Sequence, residues 1–476
     1  MKQNGIDLTR GSIFGNLMKL ALPIMFSNFL QTFYNLTDTF WLGKLGDQAR
    51  AAVAVTGLTF PLIFFLSSFG FGFVIAGTSL IAQYKGAGQL EKGREVVAQF
   101  ILIIGVFCLI FITASYLLLD DILALLQTPP EILASARQYI SIILAGMVFM
   151  FLFLSYQSFA HGLGDTISPM KIQIISVTLN LILDPLVIFG WGFFPRLEII
   201  GAAYATLFSR VIAALIAVYF LMRKSPGIVP RWQQLRPNRE MIGRILRISI
   251  PSSLAQSMTS FGFVILQGFV NTFGTLVIST FSIGNRLTGF FMMPAMGISN
   301  ALAAVVGQTL GARKLDRALK SVGIAFKSVM SIMFVGCLLV YLFGAQLTRI
   351  FIDDLQVMAV GERMFRVTAF ASFVFAIGFV FMGVFNGSGH TRLSMIFNIS
   401  RLWLFRIPLV YLLSGKLVDN ILFSSPFWQK ILRTLAAPLS AYPYDALWWS
   451  MLISNILAGL AAFLLYRQGK WKKARI

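Results

Sequence analysis

Long apolar segments alternate with short polar connections along nearly the whole chain. Each segment has the roughly 20 apolar residues that a helix needs to cross a bilayer. The pattern predicts about twelve membrane-spanning helices, at approximately residues 16–41, 51–82, 94–119, 132–160, 168–192, 200–222, 241–271, 276–309, 318–345, 357–385, 392–415 and 445–468. The chain is 57% hydrophobic and 12% charged, a composition that excludes a soluble domain of this length. We therefore expect an all-α integral membrane protein.

The two halves of the chain repeat each other. Two motifs recur at one offset (308 − 83 = 225 and 387 − 162 = 225): Gln83, Gly86, Ala87 and Leu90 match Gln308, Gly311, Ala312 and Leu315, and Gly162, Gly164, Thr166 and Met170 match Gly387, Gly389, Thr391 and Met395. An even number of spans per half makes the repeat parallel, as in transporters whose site lies between two bundles. We predict a six-helix lobe at 1–223, a cytoplasmic linker at 224–240 and a second six-helix lobe at 241–476.

One segment of the second half, residues 416–444, has no counterpart of similar length in the first half. We expect an external insertion containing an amphipathic helix that lies at the membrane interface. Its apolar side would carry Phe427, Trp428, Ile431 and Leu435, and its polar side Lys430 and Arg433. A lipid-contacting loop without a functional role is favoured over a lid.

The formal net charge is +21, and the lysines and arginines gather in the connections at 85–94, 223–247, 313–320 and 467–475. This is the pattern of cytoplasmic loops beside anionic lipid headgroups. We therefore expect both termini to be cytoplasmic and membrane lipid, rather than nucleic acid, to face the basic residues.

Only two acidic residues, Asp38 and Asp184, fall deep inside the predicted spans. A central aspartate costs about 2.5–3.5 kcal/mol in a span, so such a residue is expected to face a cavity or a partner. Asn180 lies one turn before Asp184 and shares its face, and Pro185 leaves a nearby carbonyl without its helical bond. These oxygens could bind a small hard cation, or the carboxylate could hold a proton. Thr206 is a plausible fourth group, although a hydroxyl bonded to its own helix is the competing interpretation.

Because burial disfavours the ionised form of a carboxyl group, a proton and a cation would compete for it. That competition is the minimum requirement of an antiporter. Other residues could line the same cavity: Met25, Gln31, Tyr34, Asn35, Tyr139, Gln157 and Met170. Methionine and aromatic surfaces suit lipophilic cations, but ordinary packing is favoured for any single one of them. Pro23 predicts bending of the first helix.

Three arginines, Arg286, Arg401 and Arg406, lie in or near spans of the second half. They are expected to reach the membrane surface, bind an anionic group or fix the resting state. The sequence has no phosphate-binding G-x-x-x-x-G-K-[ST] loop, no H-E-x-x-H and no G-x-S-x-G motif. An ATP-driven pump and an enzyme are therefore not expected, and no cofactor is expected beyond the coupling ion.

The chain resembles the multidrug and toxic compound extrusion (MATE) transporters, and within them the DinF-type prokaryotic branch. The resemblance rests on Pro23, Asp38, Gly43, Gly46 and Ala52, on the repeated Q-x-x-G-A-x-x-L, and on Asn180 with Asp184; Thr259 stands where the NorM-type branch has a glutamate. It implies a monomeric, two-lobed carrier of the prokaryotic plasma membrane that exports organic cations in exchange for H⁺ or Na⁺. It assigns Asp38, Asn180, Asp184 and Thr206 to the coupling site, Gln31, Tyr34 and Tyr139 to its surroundings, and Pro23 to helix bending. A flippase for lipid-linked sugars is the rival; it should prefer a cationic central cavity.

Overall fold

Twelve long helices make up most of the computed structural model, which describes residues 5–192, 194–416, 434, 437–439 and 441–476. The helices are α1 (Ile13–Leu42), α2 (Ala49–Gly86), α3 (Leu90–Leu117), α4 (Pro130–Gly162), α5 (Ile167–Phe189), α6 (Glu198–Lys224), α7 (Arg239–Asn271), α8 (Thr275–Gly311), α9 (Leu315–Arg349), α10 (Leu355–Gly387), α11 (Thr391–Leu413) and α12 (Ala446–Arg467). Each is long and apolar enough to cross a membrane. The predicted spans are confirmed, and the chain is a multi-pass membrane protein.

Two local features depart from the predicted pattern. A short helix, Leu119–Leu125, lies between α3 and α4. Within α11, residues Ser400–Arg406 form a π-helix, whose backbone bonds span one residue more than in an α-helix. The amphipathic helix predicted within 416–444 lies outside the described residues, including its proposed faces Phe427, Trp428, Lys430, Ile431, Arg433 and Leu435.

Polar side chains begin several of the helices. Ser12 Oγ accepts a hydrogen bond from the Gly15 N–H at 3.2 Å before α1. Asn238 Oδ1 accepts bonds from the first turn of α7, and Asp354 Oδ1 does so at the start of α10. These caps satisfy N–H groups that have no partner within the helix, so the polar connections define where the apolar helices start.

The two lobes, α1–α6 and α7–α12, interlock through their first two helices. The first helix of each lobe packs on the second helix of the other, α1 on α8 and α7 on α2. Glycines allow this close approach: a Cβ on Gly72 of α2 would lie 2.0 Å from Ser253 Oγ, and one on Gly297 of α8 would lie 2.5 Å from Met25 Cγ. Small residues at helix contacts let backbones approach within a membrane. The first half of α1 therefore belongs to the contact surface between the lobes.

At one end of the bundle, the two repeated motifs bind each other across the lobes. This is the linker end, where α6 finishes and α7 starts. Gln83 Nε2 donates to the Gly387 carbonyl at 3.0 Å, and Gln308 Nε2 donates to the Gly162 carbonyl at 2.9 Å. Each glutamine of the Q-x-x-G motif thus binds the glycine turn of the other lobe. We call Gln83 and Gln308 the crossed glutamine pair.

The same two side chains also hold segments that lie outside the twelve helices. The Leu8 N–H donates to Gln308 Oε1 at 3.1 Å, and the Arg475 N–H donates to Gln83 Oε1 at 2.9 Å. Both glutamine side chains are fully buried. A buried amide with its donor and acceptor both satisfied stabilises a specific geometry.

Hydrogen bonds that join the lobes in the described part of the chain run from the middle of α2 and α7 to the linker end. The nearest to the middle joins Ser68 Oγ and Ser257 Oγ at 2.7 Å. Beside it, Ser253 Oγ donates to the Phe69 carbonyl at 3.0 Å. The lobes are therefore fastened together over the half of the bundle that ends at the linker.

Candidate functional site

Asp184 lies on α5 with none of its surface exposed. Its Oδ1 accepts a hydrogen bond from Asn180 Nδ2 at 3.1 Å, which follows from their spacing of one helical turn. Its Oδ2 is also buried and has no hydrogen-bond partner in the described part of the chain. One carboxylate oxygen is thus held in place while the other is free to bind a ligand.

Asp38, on α1, has the same kind of orphaned oxygen. Its Oδ1 is buried and has no hydrogen-bond partner among the described residues. Arg210 on α6 attracts it electrostatically without a hydrogen bond between them. The salt bridges between described residues include neither Asp38 nor Asp184. Neither carboxylate is therefore locked against a guanidinium group.

Hydroxyl groups of the neighbouring helices lie near the two acids. Tyr34 OH and Thr206 Oγ1 form a hydrogen bond of 2.9 Å, so the hydroxyl of Thr206 binds across to α1. Tyr139 on α4 is 7% exposed and interacts electrostatically with Asp38 and Asp184. Four helices of one lobe, α1, α4, α5 and α6, thus contribute to one polar group. We call Asp38, Asn180, Asp184, Thr206, Tyr34 and Tyr139 the acid cluster.

Two polar residues that the sequence reasoning left out of the site lie beside this cluster. Gln173 Nε2 donates to Gln31 Oε1 at 2.9 Å and so links α5 to α1. It precedes Asn180 by two turns, so helical spacing would have placed it on the same face. Arg210 follows Thr206 by one turn, and its Nη1 is buried without a partner among the described residues. Gly146 of α4 lies beside it, and a Cβ there would be at ordinary contact distance, 3.5 Å from Arg210 Nη1.

Aromatic rings lie one turn beyond the acids, at the ends of α1 and α5. The Trp41 ring lies 5.3 Å from Phe40, 6.1 Å from Phe189 and 6.3 Å from Trp191, measured between centroids. These edge-to-face contacts form an apolar group where the helices leave the cluster. Apolar surroundings on that side strengthen electrostatic interactions within the cluster.

Other residues predicted for the same cavity lie at a different level of the bundle. Met25 is thirteen residues before Asp38 (38 − 25 = 13), about 20 Å along the helix, and contacts Gly297 of the other lobe. Met170 is fourteen residues before Asp184 on α5, and Gln157 is eighteen after Tyr139 on α4. All three are therefore nearer to the linker end than the acid cluster is.

The α1 backbone remains helical through Pro23, whose carbonyl accepts a hydrogen bond from Ser27 Oγ at 2.9 Å. Because proline lacks an N–H, the carbonyl of Lys19, one turn earlier, loses its usual helical donor. The weakened turn lies where α1 passes from contact with α8 toward the acid cluster. Bending at Pro23 stays a prediction.

The arrangement defines a class of protein: a two-lobed membrane carrier fold of twelve helices, with a cluster of acidic and polar side chains inside one lobe. A family model described as MatE matches residues 23–186 and 251–412, one match in each half. The chain belongs to the MatE family, and the resemblance to MATE transporters is confirmed.

Two relatives align over nearly the full length of the chain. The probable multidrug resistance protein YpnP of Bacillus subtilis is 27% identical, with 99% of this chain and 98% of the relative covered. The multidrug export protein MepA of Staphylococcus aureus is also 27% identical, with 96% and 94% covered. The solved outward-facing structure of a multidrug resistance MATE family transporter superposes with a TM-score of 0.85 at 23% identity, covering 98% of both chains. The two-lobed fold with its internal repeat is thereby confirmed.

Proposed function

We propose that the chain is a secondary antiporter of a prokaryotic plasma membrane that exports lipophilic cations in exchange for H⁺ or Na⁺. The observation that carries the proposal is the pair of carboxylates within the helices, Asp38 and Asp184, each with a buried oxygen that no described group satisfies. Its relatives YpnP and MepA are named as multidrug resistance and export proteins. Such carboxylates in a membrane protein mark ion and proton pathways.

The acid cluster supports exchange because its ligands compete for the same oxygens. Asp38 and Asp184 repel each other when both are ionised, and a bound proton, Na⁺ or organic cation relieves that repulsion. Arg210 attracts Asp38 from α6, so it opposes part of that charge when no cation is bound. Occupation by the inorganic ion therefore disfavours occupation by the cargo.

A path to the cluster is supported by polar residues on α1 that are exposed in the middle of the membrane span. Gln31 and Asn35 are exposed there, and their side chains share a hydrogen bond of 3.4 Å. Exposed amides at that depth favour a water-filled cleft over contact with lipid. The crossed glutamine pair fastens the linker end, so the cleft would open at the opposite end.

The linker end is taken as cytoplasmic because the basic connections lie there. Residues 85–94, 223–247, 313–320 and 467–475 all belong to that end of the bundle. By the positive-inside pattern, both ends of the described chain are inside and the present conformation faces outward. Each charge moved through the membrane field is worth about 2.3 kcal/mol per 100 mV, which can drive the exchange.

Export of lipid-linked sugars is a second candidate because two arginines of α11 line an internal cavity of the second lobe. Arg286 does not line that cavity and is exposed on α8. The cavity lies between helices of one lobe and not between the lobes, where a large lipid-linked cargo would need to pass. The antiporter is therefore the better-supported function.

Transport of a fluorescent lipophilic cation in proteoliposomes tests the proposal, with a pH gradient and a Na⁺ gradient applied separately. We expect one or both gradients to drive transport. Asp38→Asn and Asp184→Asn should each lower the driven rate at least about tenfold, equivalent to about 1.4 kcal/mol in activation free energy. Asp120→Asn is the matched control, since Asp120 forms an exposed salt bridge of 3.0 Å with Arg137, and should transport normally.

Size-exclusion profiles and the yield of purified protein show whether each variant is folded. Wild-type rates in both folded cluster variants would contradict the assignment of the acid cluster. Failure of either gradient to drive any tested cation, together with uptake of a lipid-linked sugar, would instead support the second candidate.

A further inference from the structure

A cavity of about 330 Å³ lies inside the second lobe, between α7, α8, α10, α11 and α12. Seven of its seventeen lining residues are aromatic or methionine, including Phe263, Phe281, Trp448 and Met364. Asn285 and Gly289 of α8 also line it and are exposed, so they mark its opening. A volume and composition of this kind are typical of sites for small organic molecules.

Two cationic side chains from α11, Arg401 and Arg406, point into this apolar cavity. They are 3% and 6% exposed, so they are buried and do not extend to the membrane surface. The Arg401 guanidinium lies 4.2 Å from the centroid of the Phe375 ring, and its Nε has no hydrogen-bond partner in the described part of the chain. A buried cation with an unsatisfied donor is costly unless something binds it.

Arg406 is held by neutral groups. Its Nε donates to Ser454 Oγ and its Nη2 donates to Asn455 Oδ1, both at 3.3 Å. No salt bridge between described residues includes Arg401 or Arg406. The partners orient the guanidinium without neutralising it, so the cavity keeps the charge of both arginines.

The π-helix explains why two arginines five positions apart (406 − 401 = 5) reach one cavity. In an α-helix, five residues correspond to a rotation of about 500°, which separates the side chains by about 140°. In a π-helix the bond joins residues i and i+5, so residues five apart come close to the same face. Such segments occur frequently at functional sites.

We propose that this cavity binds a small soluble organic anion, with its charged group against Arg401 and Arg406 and its apolar body against the aromatic wall. A carboxylate or sulfonate supplies the acceptors that the guanidinium groups lack. The site is separate from the acid cluster, and equilibrium binding tests it without reference to transport or to the coupling ion.

Calorimetric titration of the purified full chain in a neutral detergent provides the test. The probes are naphthalene-2-sulfonate, the neutral naphthalene-2-methanol and the cationic 2-naphthylmethylammonium. We expect the sulfonate to bind at least about tenfold more tightly than the other two, because only it satisfies both arginines. Equal binding of the sulfonate and the neutral probe would overturn the proposal.

Variants locate the binding in the cavity. Arg401→Gln and Arg406→Gln should each weaken the sulfonate at least about tenfold, whereas Arg286→Gln, outside the cavity, should change it less than about twofold. Gly289→Leu fills the cavity without changing charge, since no atom lies within 4 Å of a Cβ there, and should also weaken binding about tenfold. If Arg406→Gln does not fold, Gly289→Leu still tests whether the sulfonate binds in the cavity.

Equal weakening by Arg286→Gln, or no effect of Arg401→Gln and Gly289→Leu, would overturn the assignment. A repeat in nanodiscs compares zwitterionic with acidic phospholipid. Unchanged sulfonate affinity supports a soluble anion. Loss of binding only in acidic lipid would overturn this choice of ligand and assign the arginines to a lipid headgroup.

Discussion

The two lobes share a scaffold but carry opposite charges on corresponding helices. At the repeat offset, α5 of the first lobe corresponds to α11 of the second, and Asp184 corresponds to Leu409 (184 + 225 = 409). Helix α5 carries the buried Asp184, and α11 carries Arg401 and Arg406, whose side chains line an internal cavity. The same helix packing is therefore compatible with inward-facing side chains of opposite charge.

The lobes are alike in how they treat these charges. In the first, Asp184 is held by the neutral Asn180, and in the second, Arg406 is held by the neutral Ser454 and Asn455. A neutral partner fixes a charged group in position without satisfying its charge. This arrangement suits the two proposed ion sites, since an internal salt bridge would compete with the ligand.

The charge difference between the lobes can be tested most directly by placing an acid in the second lobe. Leu409→Asp adds a carboxylate three positions after Arg406, on a neighbouring face of α11, so it should pair with that arginine. We expect naphthalene-2-sulfonate to bind at least about tenfold more weakly, about 1.4 kcal/mol, without any gain in transport. The matched control is Leu409→Asn, which should stay within about threefold of wild type. Equal losses in the two variants would point to altered packing in place of charge.

The two contacts of the crossed glutamine pair at the linker end can be compared with the variants Gln83→Ala and Gln308→Ala. Gln308→Ala leaves the Gly162 carbonyl and the Leu8 N–H without these partners, at a cost of about 1–3 kcal/mol per group. Gln83→Ala removes the partner of the Arg475 N–H, but the Gly387 carbonyl keeps the hydroxyl of Ser79 as a donor at 3.1 Å. We expect both variants to lower the melting temperature in detergent, Gln308→Ala by more, and Gln346→Ala, an exposed control, to leave it unchanged. An equal or larger loss in Gln83→Ala would contradict this ranking of the two crossings.

A further contrast concerns a pair of turn residues that differ between the lobes, Asp165 and His390 (165 + 225 = 390). Asp165 Oδ1 accepts a hydrogen bond from the Ser168 N–H at 2.9 Å. Burial, and then the nearby Arg475 guanidinium, lowers the pKa of His390 to about 4. The unfolded chain would protonate this histidine near pH 6.5, so the free energy of unfolding should fall between about pH 6.5 and pH 4 and change no further below.

Melting curves of wild type and His390→Gln between pH 7 and pH 4 measure this contribution. The wild type should lose more stability across that window than the variant does, because glutamine does not titrate. Parallel pH dependences would show that His390 does not contribute to the loss.

Much of this could be predicted from the sequence, because the bilayer imposes a strong constraint on it. Apolar segments of fixed length predicted the twelve helices, and glycine motifs at one offset predicted the repeat. The one-turn spacing of Asn180 and Asp184 predicted their shared face, and the structure places a hydrogen bond between them. Local periodicity is sufficient for features that lie within one helix.

What the sequence could not predict depends on contacts between helices or on a change of helix type. Gln173 and Arg210 join the site through α1, which lies far from both in the sequence. Arg401 and Arg406 would lie on different faces of an α-helix, and only the π-helix brings them to one cavity. The hydrophobic pattern of a sequence does not distinguish an α-helix from a π-helix. The cationic cavity could therefore be recognised only from the structure.

The crossed glutamine pair has a practical consequence for anyone who handles this protein. Leu8 and Arg475 are bound to the two side chains that hold the glycine turns of the opposite lobes. In the proposed transport cycle these bonds would have to break for the linker end to open, so a bulky affinity tag close to either residue should change the transport rate. Small fluorophores on the same two segments would move apart as the lobes separate, which offers a direct optical signal of the switch.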